Sequence, residues 1–271
     1  MDNQFSLKGK VIVVTGGTGI IGKSFIKGIV AAGGAVGILG RNEKVANERA
    51  DEVNKNGGKA IALIADVLDE KALEAARDKV LAEYGRIDGL VNAAGGNIPE
   101  AIIQKDDDIF GMNIDGMRKA MELNLWGTLI PTQVFGKAMV DAGKGSIVNI
   151  SSMSSKRVIT RVLGYSMGKA AIDCYTQWFS VELANRFGDK VRMNAIAPGF
   201  FLTEQNRALL TNTDGSYTER GNLVMKQTPF KRFGDTDELI GALQWLLSDA
   251  SAFVTGTVIN VDGGFFINSG V

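Results

Sequence analysis

The stretch TGGTGIIG, Thr15–Gly22, stands between the apolar run KVIVV (10–14) and the helix-like segment KSFIKGIVAAGG (23–34). Four of its eight residues are glycine. Gly17-Thr18-Gly19-Ile20-Ile21-Gly22 fits the pattern GxGxxG, directly after a strand-like run and at the opening of a helix. Glycines at these places permit a tight turn and let the backbone approach a pyrophosphate, which sits where the first amides of the helix lack partners. The alternative is an ordinary glycine-rich strand-to-helix turn.

Outward from this stretch, short apolar or β-branched runs recur: KVIVVT, AVGIL, AIALIA, IDGLVNA, GSIVNIS, VRMNAIA and GTVINV. Between them lie amphipathic segments such as NEKVANERADEVNKN and EKALEAARDKVLAEYG, with apolar residues at helical spacing. Continuous apolar runs read as strands buried on both faces, as in a parallel sheet. Seven of them alternating with helices predict an α/β chain: a single-domain Rossmann fold over 1–271, with a doubly wound seven-stranded parallel sheet and helices on both faces. The one long irregular region, about 200–230, reads as a substrate lid, since loops of that length in compact domains usually serve binding.

Composition narrows the chemistry. The 271 residues carry no net charge, which favours neither nucleic acid nor an anionic membrane as partner. No apolar run approaches the ~20 residues of a membrane span, and the first residues lack the pattern of a signal peptide. The single Cys174 leaves no intrachain disulfide, which suits a reducing cytoplasm. There is no histidine, so Ser-His-Asp hydrolysis, a histidine base and histidine-ligated zinc are excluded. No metal is expected; the acidic run Asp106–Asp108 reads as a solvated loop.

Where a protein selective for NAD usually carries an acidic residue for the ribose 2′-hydroxyl, the second strand ends in Gly40 and Arg41. Arg41 can pair with a 2′-phosphate, which leans the expectation slightly from NAD(H) to NADP(H), or it is a solvated strand-end residue. Asp66, ending the third strand, is a candidate for the adenine or a helix cap. In GYSMGKAAIDCYTQWF, Tyr165 and Lys169 are four apart and share a helix face. YxxxK alone is common in helices. Its combination with the glycine loop, NAAG (92–95) after the fourth strand and Ser152 at the end of the fifth is much rarer.

On these residues the chain resembles the short-chain dehydrogenase/reductase family over essentially its whole length. NAAG, Ser152, Tyr165, Lys169, APGF (197–200) and VDGG (261–264) fall in family order. The resemblance implies an NAD(P)-dependent oxidoreductase with Asn124, Ser152, Tyr165 and Lys169 as its catalytic set. It implies cofactor contacts from Gly16, Thr18, Gly19 and Ile21 in the loop, and from Arg41, Asp66 and Val67 at strand ends. Asn92, Ala93 and Gly95, then Pro198, Gly199 and Thr203, would add to these, alongside Tyr165 and Lys169. Tyr165 would exchange its proton with a carbonyl oxygen while Ser152 orients that oxygen. Asn124 would hold a water linking Lys169 to solvent. Bringing a phenol from a pKa of ~10 to ~7 takes about 4 kcal/mol, about what an ammonium at ~4 Å supplies at an effective dielectric of ~20. The resemblance also implies a homotetramer.

The loop departs from the family at one place. The single-domain branch usually reads TGxxxGxG, which needs glycine where Ile20 stands. TGxxGxxG is instead the spacing of the extended branch, which includes sugar-nucleotide epimerases with a longer C-terminal substrate domain. APGF and VDGG are landmarks of the single-domain branch, so the chain reads as one of its members with a variant loop. A protein that binds the dinucleotide without turnover is the reading from another class; the intact Asn/Ser/Tyr/Lys set weighs against it.

For the substrate, MSSKRVITRVLG (153–164) places Arg157 and Arg161 between Ser152 and Tyr165, where guanidinium groups can hold a carboxylate in a bidentate manner; the alternative is that they are exposed on the loop and pair with Glu or Asp. Gln205 and Asn206 in the lid suit a polyhydroxylated molecule. NAAGGN, APGFFLTEQNR and TDGSYTERGN resemble the sugar-acid branch, D-mannonate oxidoreductases (fructuronate reductases) and, more distantly, gluconate 5-dehydrogenases. The expected substrate is therefore a keto sugar acid of carbohydrate metabolism, with a 3-ketoacyl thioester as the alternative.

Overall fold

The computed structural model describes residues 4–203, 207 and 209–270. All seven expected strands form: β1 (Val11–Thr15), β2 (Ala35–Gly40), β3 (Lys59–Ile64), β4 (Gly89–Asn92), β5 (Gly145–Ile150), β6 (Val191–Pro198) and β7 (Val258–Val261). They make one parallel sheet in the order β3-β2-β1-β4-β5-β6-β7. The helices are α1 (Ile20–Ala31), α2 (Glu43–Lys55), α3 (Glu70–Tyr84), α4 (Ile114–Met121), α5 (Gly127–Ala142), α6 (Leu163–Phe187), α7 (Glu219–Gln227) and α8 (Ile240–Leu247).

The continuous apolar strands follow from burial on both faces. In β1, Ile12 and Val14 join one core with Phe25 and Ile29 of α1 and Leu243 and Leu246 of α8. Val11 and Val13 join the opposite core with Leu73 of α3, Phe135 of α5 and Leu183 of α6. Sequence chemistry also sets helix ends: the Asn42 and Asp69 side chains accept the Val45 and Ala72 amides, and Gly85 and Gly143 close α3 and α5 in the left-handed conformation.

Strand order reverses direction between β1 and β4, so their connections leave on opposite faces and open a crevice at the carboxyl ends of the strands. The glycine loop, the β4 and β5 ends and the start of α6 gather there.

The described part of region 200–230 is not wholly irregular. It contains α7, with Thr218 capping Gly221, and its Leu210, Val224 and Met225 form a small core with Phe233 just beyond it. The Thr218 cap and Pro229 just past the helix were the overlooked signals. No helix among the described residues is long and apolar enough to cross a membrane.

Candidate active site

The glycine loop closes tightly on itself. The Gly19 amide donates to the Gly16 carbonyl at 2.8 Å and the Gly17 amide to the Leu39 carbonyl at 2.9 Å. Gly16 has φ +63°, and a Cβ there would lie 2.7 Å from the Ala93 carbonyl oxygen. Arg49 of α2 was not anticipated: its guanidinium donates to the Gly17 carbonyl and, at 2.7 Å, to that of Gly19. Helix α1 starts at Ile20 with Gly19 as its N-cap, no capping side chain and no acidic residue in its first turn. Its leading amides are therefore left for another acceptor, and glycine rather than side chain covers the approach. These features fit a dinucleotide pyrophosphate.

One cavity of about 290 Å³ joins this loop to the expected reacting groups. Its walls include Gly16, Gly19 and Ile21 from the loop, Ala93 and Gly95 beyond β4, Ser152, Tyr165 and Lys169, and Pro198, Gly199 and Thr203 after β6. Residues 187 positions apart in the chain thus share one wall because parallel strands deliver all their carboxyl ends to one side.

Tyr165 and Lys169 lie in α6, as their spacing predicts. The Lys169 ammonium is buried, donates to the Ile150 carbonyl at 2.7 Å and stands 5.4 Å from the Tyr165 ring centroid. Burial lowers its pKa to about 8, opposed by the Asp173 carboxylate. The expected fall in the Tyr165 pKa does not occur in this structure. Burial raises it, and the neighbouring Ser152 hydroxyl pulls it partly back. The physical reason is that Lys169 directs its proton at a backbone carbonyl while the phenol loses water. A raised pKa keeps the phenol protonated at neutral pH, the state that a proton donor needs.

Asn124 is fully buried in a widened helical turn, Glu122–Trp126. Its amide donates to the carbonyls of Gly96 and Ala120, both at 2.8 Å, and accepts the Gly96 amide at 3.1 Å. The side chain is a clamp on the segment after β4, so both amide hydrogens are committed to backbone rather than free for the implied relay. Such a turn within a helix often marks a functional site.

Other expected residues lie elsewhere. Asn92 is buried under the cavity, where it donates to Thr132 and Asn149, each at 2.9 Å; its residue type serves the core. Arg41 approaches Asp66 to 3.5 Å, uniting two expected cofactor residues at neighbouring strand ends. Asp66 accepts the Leu68 amide, and Asp69, not Asp66, caps α3. Gly40 is needed where it stands because a Cβ would meet the Thr18 hydroxyl at 2.5 Å. Val67 is buried in the α3-side core.

Arg157 and Arg161 do not line the Tyr165 cavity. Arg157 donates to the Asn268 carbonyl at 2.9 Å. Arg161, itself at φ +78°, donates to the Ile103 carbonyl and the Gln104 side chain. Backbone acceptors on other segments draw both guanidinium groups away, into a separate open cleft of about 1060 Å³. Gln205 and Asn206 lie outside the described residues. Asp107 and Asp108 accept the amides of Gln104 and Phe110, and no metal-binding cluster occurs among the described residues.

Two serines beside Ser152 were missed together with their acceptor. Ser151 and Ser155 both donate to the buried carboxylate of Asp173, at 2.5 and 2.6 Å. The available signal was Asp173 four residues after Lys169, on the same helix face.

The chain is similar to several known proteins. A family model described as enoyl-(acyl carrier protein) reductase matches residues 18–266. An uncharacterized oxidoreductase of Bacillus subtilis (strain 168) is 40% identical, over 98% of both chains. A solved structure from Haemophilus influenza, of a protein proposed to be a D-mannonate oxidoreductase with bound NAD, is 39% identical with a TM-score of 0.90 over 98% of each chain. A gluconate 5-dehydrogenase from Burkholderia cenocepacia J2315, in complex with NADP and tartrate, is 34% identical with a TM-score of 0.84 over 97% of each chain. With its parallel sheet, glycine cradle and YxxxK helix, the chain belongs to the short-chain dehydrogenase/reductase family and is an NAD(P)-dependent oxidoreductase.

Proposed function

We propose that the protein interconverts a keto and a hydroxy group on a sugar acid of the D-fructuronate/D-mannonate or 5-ketogluconate/gluconate type. The observation that carries this reading is the single cavity uniting the uncapped glycine loop with Ser152, Tyr165 and Lys169. The sugar-acid names of the two structural relatives support the substrate class.

A bound nicotinamide supplies or takes the hydride. Tyr165, held protonated by burial, gives its proton to the carbonyl oxygen. Ser152 hydrogen-bonds that oxygen and aligns it with the phenol. Lys169, buried beside the Tyr165 ring and bonded to the Ile150 carbonyl, would hold the cofactor ribose. Asn124 clamps the segment after β4 beside the ammonium, and Gly95 leaves the room for it: a Cβ there would stand 2.7 Å from the Asn124 Oδ1 and 3.3 Å from the Lys169 Nζ. Thr18, Arg41 and Asp66 would hold the adenosine, and Arg41 would supply the charge for the 2′-phosphate of NADP(H). The described part of 200–230 covers the substrate, whereas Arg157 and Arg161 are engaged by Asn268, Ile103 and Gln104 outside the Tyr165 cavity.

The whole chain, 1–271, is one cytoplasmic catalytic domain and assembles as a homotetramer. Exposed Leu163, Met167, Trp178 and Val181 at helical spacing along α6 support the assembly by giving a second copy an apolar stripe to cover.

The test is reduction of D-fructuronate, 5-ketogluconate and an acetoacetyl thioester by NADH and by NADPH. At least one keto acid should turn over with kcat/KM well above that of the thioester. Turnover of the thioester alone would overturn the sugar-acid reading.

A further inference from the structure

We propose that Asp173 is a positioning residue for the reaction: from one turn further along α6 its buried carboxylate keeps the Lys169 ammonium charged. The proposal rests on the reading of Tyr165 and Lys169 as proton donor and charged partner.

A buried carboxylate is costly unless its oxygens are hydrogen-bonded. Here Oδ1 accepts from Ser151 and Oδ2 from Ser155, the residues that bracket Ser152 in the turn after β5. The Ser155 hydroxyl also reaches the Ser152 carbonyl at 2.8 Å. The anion is thus satisfied by hydroxyls without being neutralised by a cation. No ion pair among the described residues includes it, so its field is not cancelled locally.

Lys169 needs such a field. Its surroundings are the Ile150 carbonyl from β5, the Tyr165 ring on its own helix, the Asn124 amide from the widened turn, and Gly95 after β4. None of these carries a charge at neutral pH. Asp173 is the charged group that acts on the ammonium, and it does so with the sign that offsets burial. The same carboxylate ties the turn presenting Ser152 to the helix presenting Tyr165, so charge and alignment come from one side chain.

Asp173→Asn isolates the charge. The amide oxygen can still accept from Ser151, and the amide N–H can donate to Ser155, whose hydroxyl then donates to the Ser152 carbonyl. In protein carrying 13Cε-lysine, the resonance lost in Lys169→Met identifies Lys169, and its titration is followed by NMR without any substrate. In Asp173→Asn the Lys169 midpoint should fall by about one pH unit, a tenfold loss of proton affinity. Asp173→Glu, which returns the charge, should restore most of it. An unchanged midpoint in a folded Asp173→Asn protein overturns the proposal, as does a Glu variant that titrates like the Asn variant. If the midpoint moves while the pH profile of kcat/KM for a reduced keto acid stays in place, Asp173 acts on Lys169 as proposed and the role given to Lys169 is what fails.

Discussion

Replacing Gly22 by alanine should damage both the fold and dinucleotide binding, although alanine is the better helix former. A Cβ at Gly22 would point into the backbone of its own loop, overlapping the Gly16 carbonyl oxygen and standing 2.9 Å from the Gly17 Cα. These are backbone atoms pinned by the Gly17–Leu39 and Gly19–Gly16 hydrogen bonds and by Arg49, so nothing flexible can yield. Helix propensity returns about 1 kcal/mol in favour of alanine. Overpacking against fixed neighbours costs about 1–3 kcal/mol or more. With the clash at the upper end, the net loss is about 2 kcal/mol, or about 4–8 °C in Tm for a domain of this size. Because the loop must move, NADH affinity should fall about tenfold or more. Gly136 in α5 is the control: its Cβ would meet the Ile147 side chain at an ordinary 3.6 Å, so Gly136→Ala should raise stability by about 0.5–1 kcal/mol. Thermal melts and fluorescence titration with NADH measure both variants. A Gly22→Ala protein with unchanged Tm and NADH affinity would refute the close-packing argument.

Tyr165→Phe should keep NADH affinity within about twofold while turnover falls at least ~10²-fold, the ordinary contribution of a positioned proton donor; steady-state rates near the unmodified enzyme would remove Tyr165 from the mechanism. Arg41→Ala should raise the KM for NADP(H) about tenfold, as expected for one charged contact of ~1.4 kcal/mol, with little effect on NAD(H). Equal changes for both cofactors would leave Arg41 as a surface partner of Asp66. Light scattering at micromolar concentration should give about four times the 28.9 kDa of one chain, and a charged residue at Trp178 should lower that mass. A chain that is monomeric before the change contradicts the assembly.

Much of this protein was legible before folding was considered. The seven apolar runs became the seven strands because a parallel sheet covered on both faces requires continuous apolar residues, a local signal. Tyr165 and Lys169 were legible because helical geometry alone aligns residues four apart. The glycine loop was legible because its role depends on missing side chains, which the sequence states directly.

Other features depend on segments far apart in the chain. Arg157 and Arg161 looked like substrate ligands while only their distance along the chain from Ser152 and Tyr165 was known. The acceptors that redirect them, the carbonyls of Asn268 and Ile103, belong to segments whose nearness arises on folding. Asn92 sat in a motif, yet the buried hydrogen bonds it donates to Thr132 and Asn149 set its place. The Tyr165 pKa could be reckoned from one nearby charge, but its direction came from loss of water, and burial belongs to the whole packed chain. Asp173 became meaningful once β5 carried Ser151 and Ser155 against α6. Periodicity and glycine spacing act through bonds between near neighbours, so they can be read along the chain; solvation and hydrogen-bond partnership across 18 to 111 positions arise when the sheet closes and the helices pack.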